Sequence, residues 1–417
     1  MTDAPPALLA LLLVLSIPAM TVVAAGPSNG SQSLDEPVTV EDRTTPVEAE
    51  GTTNRLPVTG EVRSGYAVYG PDLGTQLAST DVEIRVDQEQ YTITDSRFEE
   101  ANNSERERMV KSAHSRLEDR ISVLEEREER AVIDHANGDI SERELLQTLM
   151  RNYHEAAILS DALADVDDRT ERIRGYSLST DNDQEALNLH RTDVREKIDE
   201  SMQSGGSDAE PVVAIQTSET GYSISLIDGN YYTETTRFDN RNTSRESRID
   251  GHNEAYDYVN DLYPWAGDAA TSTGSRDFST ERLYSYHSTG HDQGGDLEVY
   301  LDEGTGEVYR EYQDLSPDMM VQDLSRNGLL SEPVNATSED DDLAVSLVET
   351  PADGPVEVTV TDDEGEPVES AAVSTDGFEL GTTNADGTLW IIPPVGEYEV
   401  VVESGSDDVT ATAGSEE

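Results

Sequence analysis

Seven histidines and 88 acidic residues are the groups with which this chain could do chemistry, and their spacing argues against most of it. A zinc hydrolase built on one helix needs His at i and i+4, with a Glu beside the first to act as base. His154-Glu155 starts that pattern, but Ile158 stands where the second His belongs. No His has a Glu three residues later, so the other common zinc pairing is missing too. His287 and His291 are four apart, in Ser/Gly/Asp-rich sequence that predicts a turn rather than a helix. The chain has no G-x-S-x-G, no phosphate-binding glycine loop and no G-x-G-x-x-G. It has no cysteine, hence no disulfide, thiolate ligand or thiol nucleophile. A carboxylate pair for glycoside chemistry needs two acids facing each other across a cleft, and with acids everywhere none stands out. Asp340-Asp341-Asp342 and Asp362-Asp363-Glu364 offer oxygen donors for Ca²⁺ or Mg²⁺, but such runs read as solvated surface. The sequence therefore assigns no catalytic residue, no metal ligand and no cofactor. Asn29, Asn102, Asn242 and Asn335 each open an N-x-S/T site and are the candidate glycosylation positions.

Those acids dominate the charge. Against 28 basic residues, of which only Lys111 and Lys197 are lysines, they give a formal net charge of −60. Such a surface repels itself in dilute buffer. In molar salt, where the Debye length is about 3 Å, the repulsion is screened. The pattern resembles that of secreted proteins of halophilic archaea. No basic face exists to meet phosphates, so nucleic acid and anionic membrane surfaces are excluded as partners. High charge with 35% hydrophobic residues reads as disorder by composition alone; the periodic segments below argue for folding.

Residues 7–25, ALLALLLVLSIPAMTVVAA, carry no charge and end on small residues suited to cleavage after Ala25. The preceding MTDAPP lacks the usual basic residue. The stretch is read as a cleaved export signal or as a retained anchor at the lower edge of spanning length. Either places the remainder outside the cytoplasm, with the membrane reached only through that segment. Residues 26–60 read as a disordered linker rich in Ser, Thr, Pro and acids.

The clearest element is a helical hairpin over 104–170. Ser104 to Glu107 and Ser141 to Glu144 are capping boxes. The first helix carries Val110, Ala113, Leu117, Ile121, Leu124 and Ala131, and Asn137-Gly138 closes it. The second carries Leu145, Leu149, Asn152, Ala156, Leu159, Leu163 and Val166, an alternation of fours and threes that makes a heptad seam. Asn152, its one polar member, is expected to set pairing. A further helix is expected over 185–202. Segments 82–108 and 222–248 align without a gap and read as a duplicated β-hairpin leading to a helix, the second helix running over 244–262. Arg97-Phe98 and Arg237-Phe238, equivalent in that alignment, are read as a structural anchor at the strand-to-helix junction.

A hairpin follows over 297–312; its D-x-x-T-G-E-V turn resembles hairpins of peptidase-associated PepSY-type modules. After the acidic stretch NATSEDDD, taken with its surroundings (331–354) as a linker, strands and turns alternate over 355–405. The pieces VTDDEGEPV, AAV, GTTNADGTL and PVGEYEV resemble carboxypeptidase-regulatory-like, transthyretin-type domains. That resemblance implies a small Greek-key sandwich used as a spacer, adhesion or folding module, without implying peptidase activity. Residues 406–417 read as an acidic tail. The whole is expected to be α+β: a duplicated β-hairpin–helix domain over 61–330 with an inserted helical hairpin, then a small all-β sandwich. Its expected role is a non-catalytic envelope scaffold that binds other envelope or secreted proteins. The alternatives are a secreted hydrolase using carboxylates and a peptidase-modulating module. Lowering NaCl from molar to ~0.1 M should unfold the chain as repulsion loses its screening, with loss of far-UV circular dichroism; an unchanged spectrum would refute this.

Overall fold

The heptad seams come together as expected. In the computed structural model, which describes residues 52–68, 95–203, 212–227, 231–267, 272–278, 282–289, 296–315, 333–337, 343–350 and 352–414, a short helix α1 (Asp95–Glu100) leads into the long α2 (Asn103–Ala136) and α3 (Glu142–Glu171). Each predicted seam residue of both long helices is buried. Ser141 and Glu144 form the expected capping box. At the start of α2 the box sits two residues earlier: Asn102 is the N-cap and Glu105 its reciprocal partner. An asparagine carbonyl caps as well as a serine hydroxyl, so both sequences offered a cap. Gly138, with φ of 78°, closes α2 in the left-handed region that glycine tolerates.

The predicted single helix over 185–202 is two: α4 (Asp181–Asn188) and α5 (Asp193–Gln203). Between them the chain turns inward, and the Thr192 hydroxyl accepts from the Arg195 N–H at 3.2 Å, as an N-cap does.

These helices cover one face of an antiparallel eight-stranded sheet in the order β1-β2-β3-β4-β8-β7-β6-β5. Its strands are β1 (Arg63–Val68), β2 (Val212–Ser218), β3 (Gly221–Ile227), β4 (Tyr231–Arg237), β5 (Ser272–Phe278), β6 (Leu283–Thr289), β7 (Asp296–Asp302) and β8 (Val308–Leu315). The sheet joins two meanders, β2–β4 and β5–β8, where β4 pairs with β8. Period-two alternation sends Val213, Ile215, Tyr222, Ile224 and Leu226 toward Leu145, Leu149, Val194 and Ile198 of the helices. The predicted hairpin at 297–312 is β7–β8.

The two segments aligned as a duplication, 82–108 and 222–248, are described only in part. Residues 82–94 of the first copy lie outside the described residues. Phe98 sits in α1, whereas Phe238 begins a 3₁₀ turn after β4. The helix expected from Ser244 starts only at His252, forming α6 (His252–Leu262), followed by α7 (Pro264–Gly267). The Asn242 side chain instead accepts from the Ser244 N–H at 3.2 Å and its hydroxyl at 2.7 Å. That local turn competes with helix initiation.

The sandwich begins earlier and ends later than its motifs suggested. β9 (Val334–Thr337) and β10 (Leu343–Val348) come from the stretch read as a linker, and β16 (Asp407–Ala413) from the stretch read as a tail. Acidic flanks hid two short strands, although Leu343, Val345 and Leu347 alternate. The sheets are β14-β11-β10-β9 and β13-β12-β15-β16, with β11 (Val356–Asp362), β12 (Ala372–Thr375), β13 (Phe378–Thr382), β14 (Thr388–Ile391) and β15 (Tyr398–Ser404).

All described residues belong to one unit, Thr44–Glu417. The sandwich packs on the sheet face opposite the long helices, in one continuous core with α6 and α7. The hydroxyls of Tyr66 and Tyr231 donate to the carbonyls of Ile392 and Ile391 at 3.1 and 3.4 Å, and Gln216 donates to that of Pro393 at 2.9 Å. Arg55 donates to Gln216 at 3.0 Å and to the Asp353 carbonyl.

Beneath this joint lies Glu311 of β8, fully buried. It accepts from the Leu56 N–H at 2.8 Å, from Gln313 at 3.0 Å and from the Tyr263 hydroxyl. Burial pushes its carboxyl up from 4.5 to about 7, against the opposing pull of these donors and Arg55. Between those values the folded chain holds a proton that the unfolded chain has lost, so stability falls as pH rises through that window. Glu311→Gln should therefore raise the unfolding free energy by on the order of 2–3 kcal/mol at pH 8 and leave it nearly unchanged at pH 4.5, measured by denaturant titration at constant salt.

Candidate functional site

The gap between the helical layer and the sheet holds a buried ion cluster. Glu128 comes from α2, Arg195 from α5, Tyr222 from β3, Glu234 from β4 and Arg310 from β8. All are fully or almost fully buried. Arg195 donates to Glu128 at 3.0 Å and to Glu234 at 2.7 Å, and Arg310 donates to Glu128 at 3.1 Å. The Tyr222 hydroxyl lies 2.8 Å from Glu128 and 2.5 Å from Glu234. Thr192 donates to Glu234 at 2.6 Å, and His190 Nδ1 lies 3.0 Å from Glu128. Two carboxylates thus meet two guanidiniums. Burial alone would raise the Glu128 carboxyl, but Arg195, Arg310 and His190 outweigh it and hold the group well below its usual range. Burial, reinforced by the arginines, depresses His190 despite Glu128. A second tier ties the two long helices together. Asn152, the polar seam residue, donates to the Leu124 carbonyl at 2.9 Å and accepts from Arg127 at 2.6 Å. Glu155 is gripped by Arg120 at 2.8 Å and Arg127 at 2.7 Å.

Beside this cluster, and sharing Thr192 with it, opens a recess of about 330 Å³. Its floor is two cross-strand rows. Tyr232, Asp314, Asp296 and Thr289 lie side by side across β4, β8, β7 and β6, and Tyr312, Glu298 and His287 form the next row. Arg191 of the α4–α5 connection and Asp193 at the start of α5 also line it. Asp296 and Asp314 are direct register partners. Burial, then Asp296, raises the Asp314 carboxyl; Asp193 adds to this and Lys197 opposes it. The Tyr300 hydroxyl donates to Glu298 at 2.8 Å, and the Tyr300 ring meets Tyr312 edge to face at 5.8 Å. The His287 ring closely approaches its register partner on β5, Gly274: a Cβ at that position would stand 2.4 Å from His287 Cε1.

The residues singled out by sequence scatter. His154 lies 3.4 Å from Asp199, and Glu155 serves the arginines, so the incomplete zinc pattern holds helices together. His287 is on strand β6, not in a turn, and His291 is outside the described residues. Asp362 folds its carboxylate onto the N–H groups of Glu364 and Glu366 at 3.0 and 2.8 Å, which fixes a turn; residues 340–342 are outside the described set. Phe98 is buried with Arg106 and Arg172 stacked on its ring, while Arg237 forks onto Asp239. Asn102 and Asn335 are exposed and Asn242 is half-buried; Asn29 and the cleavage point after Ala25 are not described. No helix among the described residues is long and apolar enough to cross a membrane. His114, Glu118 and Asp183 form a group that spacing could not reveal, since Asp183 comes from α4; His114 lies between its carboxylates at 2.6 Å from Asp183 and 3.7 Å from Glu118.

The cluster itself was legible in part. The α2 seam runs Leu124, Glu128, Ala131, His135 at spacings of 4, 3 and 4. A carboxylate and an imidazole on an apolar stripe signal buried polar partners. Glu234 likewise occupies a core-facing step of β4, and Arg310 one of β8.

Fold and site together define an α+β body whose helical face carries a closed ion cluster and an open acidic recess, and whose other face carries a β-sandwich. Three family models match successive stretches: a domain of unknown function (DUF7096) over residues 1–208, a family of unknown function (DUF7094) over 213–321, and an archaeal fibronectin-III type-like domain over 334–411. The C-terminal sandwich is thus an archaeal fibronectin-III-like domain, and its match starts at the first residue of β9. No carboxypeptidase-regulatory-like match is found over 355–405, where the motifs suggested that family; the small antiparallel sandwich they implied is present. No curated protein and no solved structure matches the chain.

Removing one partner of the cluster leaves buried charge uncompensated. Glu128→Ala, which takes from Arg310 its carboxylate partner and leaves Arg195 with Glu234 alone, should cost about 3–5 kcal/mol in denaturant unfolding; a loss below about 1 kcal/mol would show that water reaches the cluster.

Proposed function

We propose that this chain is a non-catalytic, exported envelope protein of a halophile, acting as a rigid scaffold that holds other surface proteins. The observation that carries this reading is the fixed joint between the sandwich and the sheet. A fibronectin-III-like module seated on a neighbouring domain through a continuous core and backbone-directed hydrogen bonds presents surfaces at set positions. The spacer or adhesion role implied by the carboxypeptidase-regulatory-like resemblance points the same way. Among the described residues the buried carboxylates Glu128, Glu155 and Glu234 are paired with arginines, and a carboxylate so held is a poor acid or base. The apolar segment 7–25 supports export, with cleavage after Ala25 or retention as an anchor. The exposed Asn102 and Asn335 are the sequons best placed for glycosylation.

The rival reading, a hydrolase working with carboxylates, draws support from one feature: the recess holds inward acids, and Asp314 among them is raised. Modulation of a peptidase rests only on the β7–β8 hairpin, whose turn is closed on itself by Asp302 accepting from the Thr305 N–H at 2.8 Å.

Capture from envelope fractions in molar NaCl, with cross-links mapped by mass spectrometry, should recover the same partner through the same residues in repeated preparations. Recovery of none, together with turnover of a glycoside or peptide substrate that Asp314→Asn abolishes, would replace the scaffold by the hydrolase.

A further inference from the structure

The segment that leads into β1 is not the loose linker its composition suggests. Thr53, Asn54, Arg55 and Leu56 are all buried, in the joint between the eight-stranded sheet and the sandwich. Backbone groups fix the segment there. The Thr53 N–H donates to the Leu262 carbonyl at 2.8 Å, the Asn54 carbonyl accepts from Gln313 at 2.8 Å, and the Pro57 carbonyl accepts from Arg237 at 3.0 Å. The chain thereby carries Arg55 into the interior, where it is only 1% exposed.

An arginine cannot shed its proton to escape burial. The other fully buried arginines, Arg195 and Arg310, meet the carboxylates of Glu128 and Glu234. Arg55 differs. Its Nη2 donates to the Gln216 side-chain oxygen at 3.0 Å and to the Asp353 carbonyl, both neutral, and it forms no ion pair among the described residues. Its Nε and Nη1 have no partner, and neither has the side-chain amide of Asn54, which is fully buried beside it in sequence. Glu311 of β8 lies close enough for the Arg55 charge to lower it, but burial pushes its carboxyl up to about 7, so in mildly acid solution it is no counter-charge. Tyr66 of β1 and Tyr231 of β4, which also face Arg55, are raised by burial and stay neutral.

A buried charge without a counter-charge costs several kcal/mol. The unpartnered atoms include two acceptors, Asn54 Oδ1 and Gln313 Oε1, which a water would suit. The donor atoms outnumber them, however, and only an anion offsets the guanidinium charge. It must be small, because the segment lies closed in between sheet and sandwich, and monovalent, because one cation faces it. The outer surface, at a net charge of −60, repels anions, so the interior is where this chain can hold one.

We propose that the joint binds one chloride-sized monovalent anion on the guanidinium of Arg55, where residues 53–56, strands β2 and β8 and the turn at Asp353 meet. The assignment is independent of whether the chain is a scaffold or a hydrolase. An anion bound only by the folded chain stabilises it. The salt requirement is then partly specific to the anion, beyond the screening of surface charge.

Urea unfolding at pH ~6 and constant molar ionic strength, with chloride replaced stepwise by gluconate, tests this; gluconate is too large for an enclosed site. The folding equilibrium constant should rise about tenfold per tenfold chloride once the site is near saturation. Arg55→Gln should abolish that dependence. Gln216→Glu, which sets a carboxylate where Arg55 now meets an amide oxygen, should abolish it too, and serves if the first variant does not fold. Crystals grown in NaBr should show the anomalous signal of bromide at Arg55. Equal stability in chloride and gluconate, a chloride dependence that survives both substitutions, or a water in place of bromide at Arg55 would overturn the proposal.

Discussion

Everything on the helical side of the sheet depends on the contact of Glu128 with Arg195 and Arg310. It draws together an element near residue 128, one near 195, the β3–β4 hairpin and β8, none of which is a neighbour in sequence. Taking charges out of water costs several kcal/mol per ion, and mutual attraction offsets this only when geometry and remaining hydrogen bonds are good. Here the carboxylate of Glu128 is served by two guanidiniums, a tyrosine and a histidine. An apolar cluster of equal volume would be as stable, or more so. We therefore read the cluster's contribution as registration. A helix rotated by one residue, or a strand shifted by one, would leave a full charge unpaired in the interior. A chain with so few large apolar side chains needs such a penalty, because hydrophobic burial alone distinguishes poorly among alternative packings.

The sheet carries the same economy to its other face. Ser223 and Ser225 of β3 stand opposite Thr235 and Thr233 of β4, all four buried, with hydroxyl pairs at 2.9 and 3.1 Å. Further along this face come Gln216, Gln313 and Glu311. The sandwich meets this polar strip with backbone carbonyls at Asp353, Ile391, Ile392 and Pro393. Carbonyls accept from tyrosine, glutamine and arginine without adding charge, so the joint satisfies these buried donors. Apolar contact is concentrated instead where α6 and α7 cover β6 and β7, with Val259, Tyr263 and Trp265 against Tyr286, Val299 and Leu301.

The sequence showed the helical hairpin almost completely, because its packing is local and repeats every seven residues. The same holds for β7–β8, where alternation flanks a glycine-bearing turn. What escaped was non-local. Glu128 is one acid among 88 and is marked only by falling on an apolar stripe. The break at Leu189–Thr192 has no glycine or proline to announce it; Thr192 and His190 turn inward for partners on β4 and α2. β9 and β10 were hidden by the acidic run 338–342 that separates them in sequence, and β16 by a similar flank. The recess could not be read at all, since Asp193, Asp296 and Asp314 converge only after a helix from one region lies across strands from another. The close approach of the His287 ring to Gly274 likewise exists only once β5 and β6 are paired.

Charge balance separates the roles of otherwise identical carboxylates. On the outer surface, each acid faces water and its field is damped within about 3 Å in molar salt. Such acids keep the chain soluble and discriminate little among ligands. Inside, Glu128 and Glu234 are neutralised by fixed arginines, so they present no net field. Only a concave wall, partly shielded from ions by its own side chains, keeps an unbalanced negative potential at high ionic strength. Asp296 and Asp314 sit opposite each other on β7 and β8 in a concave part of the surface.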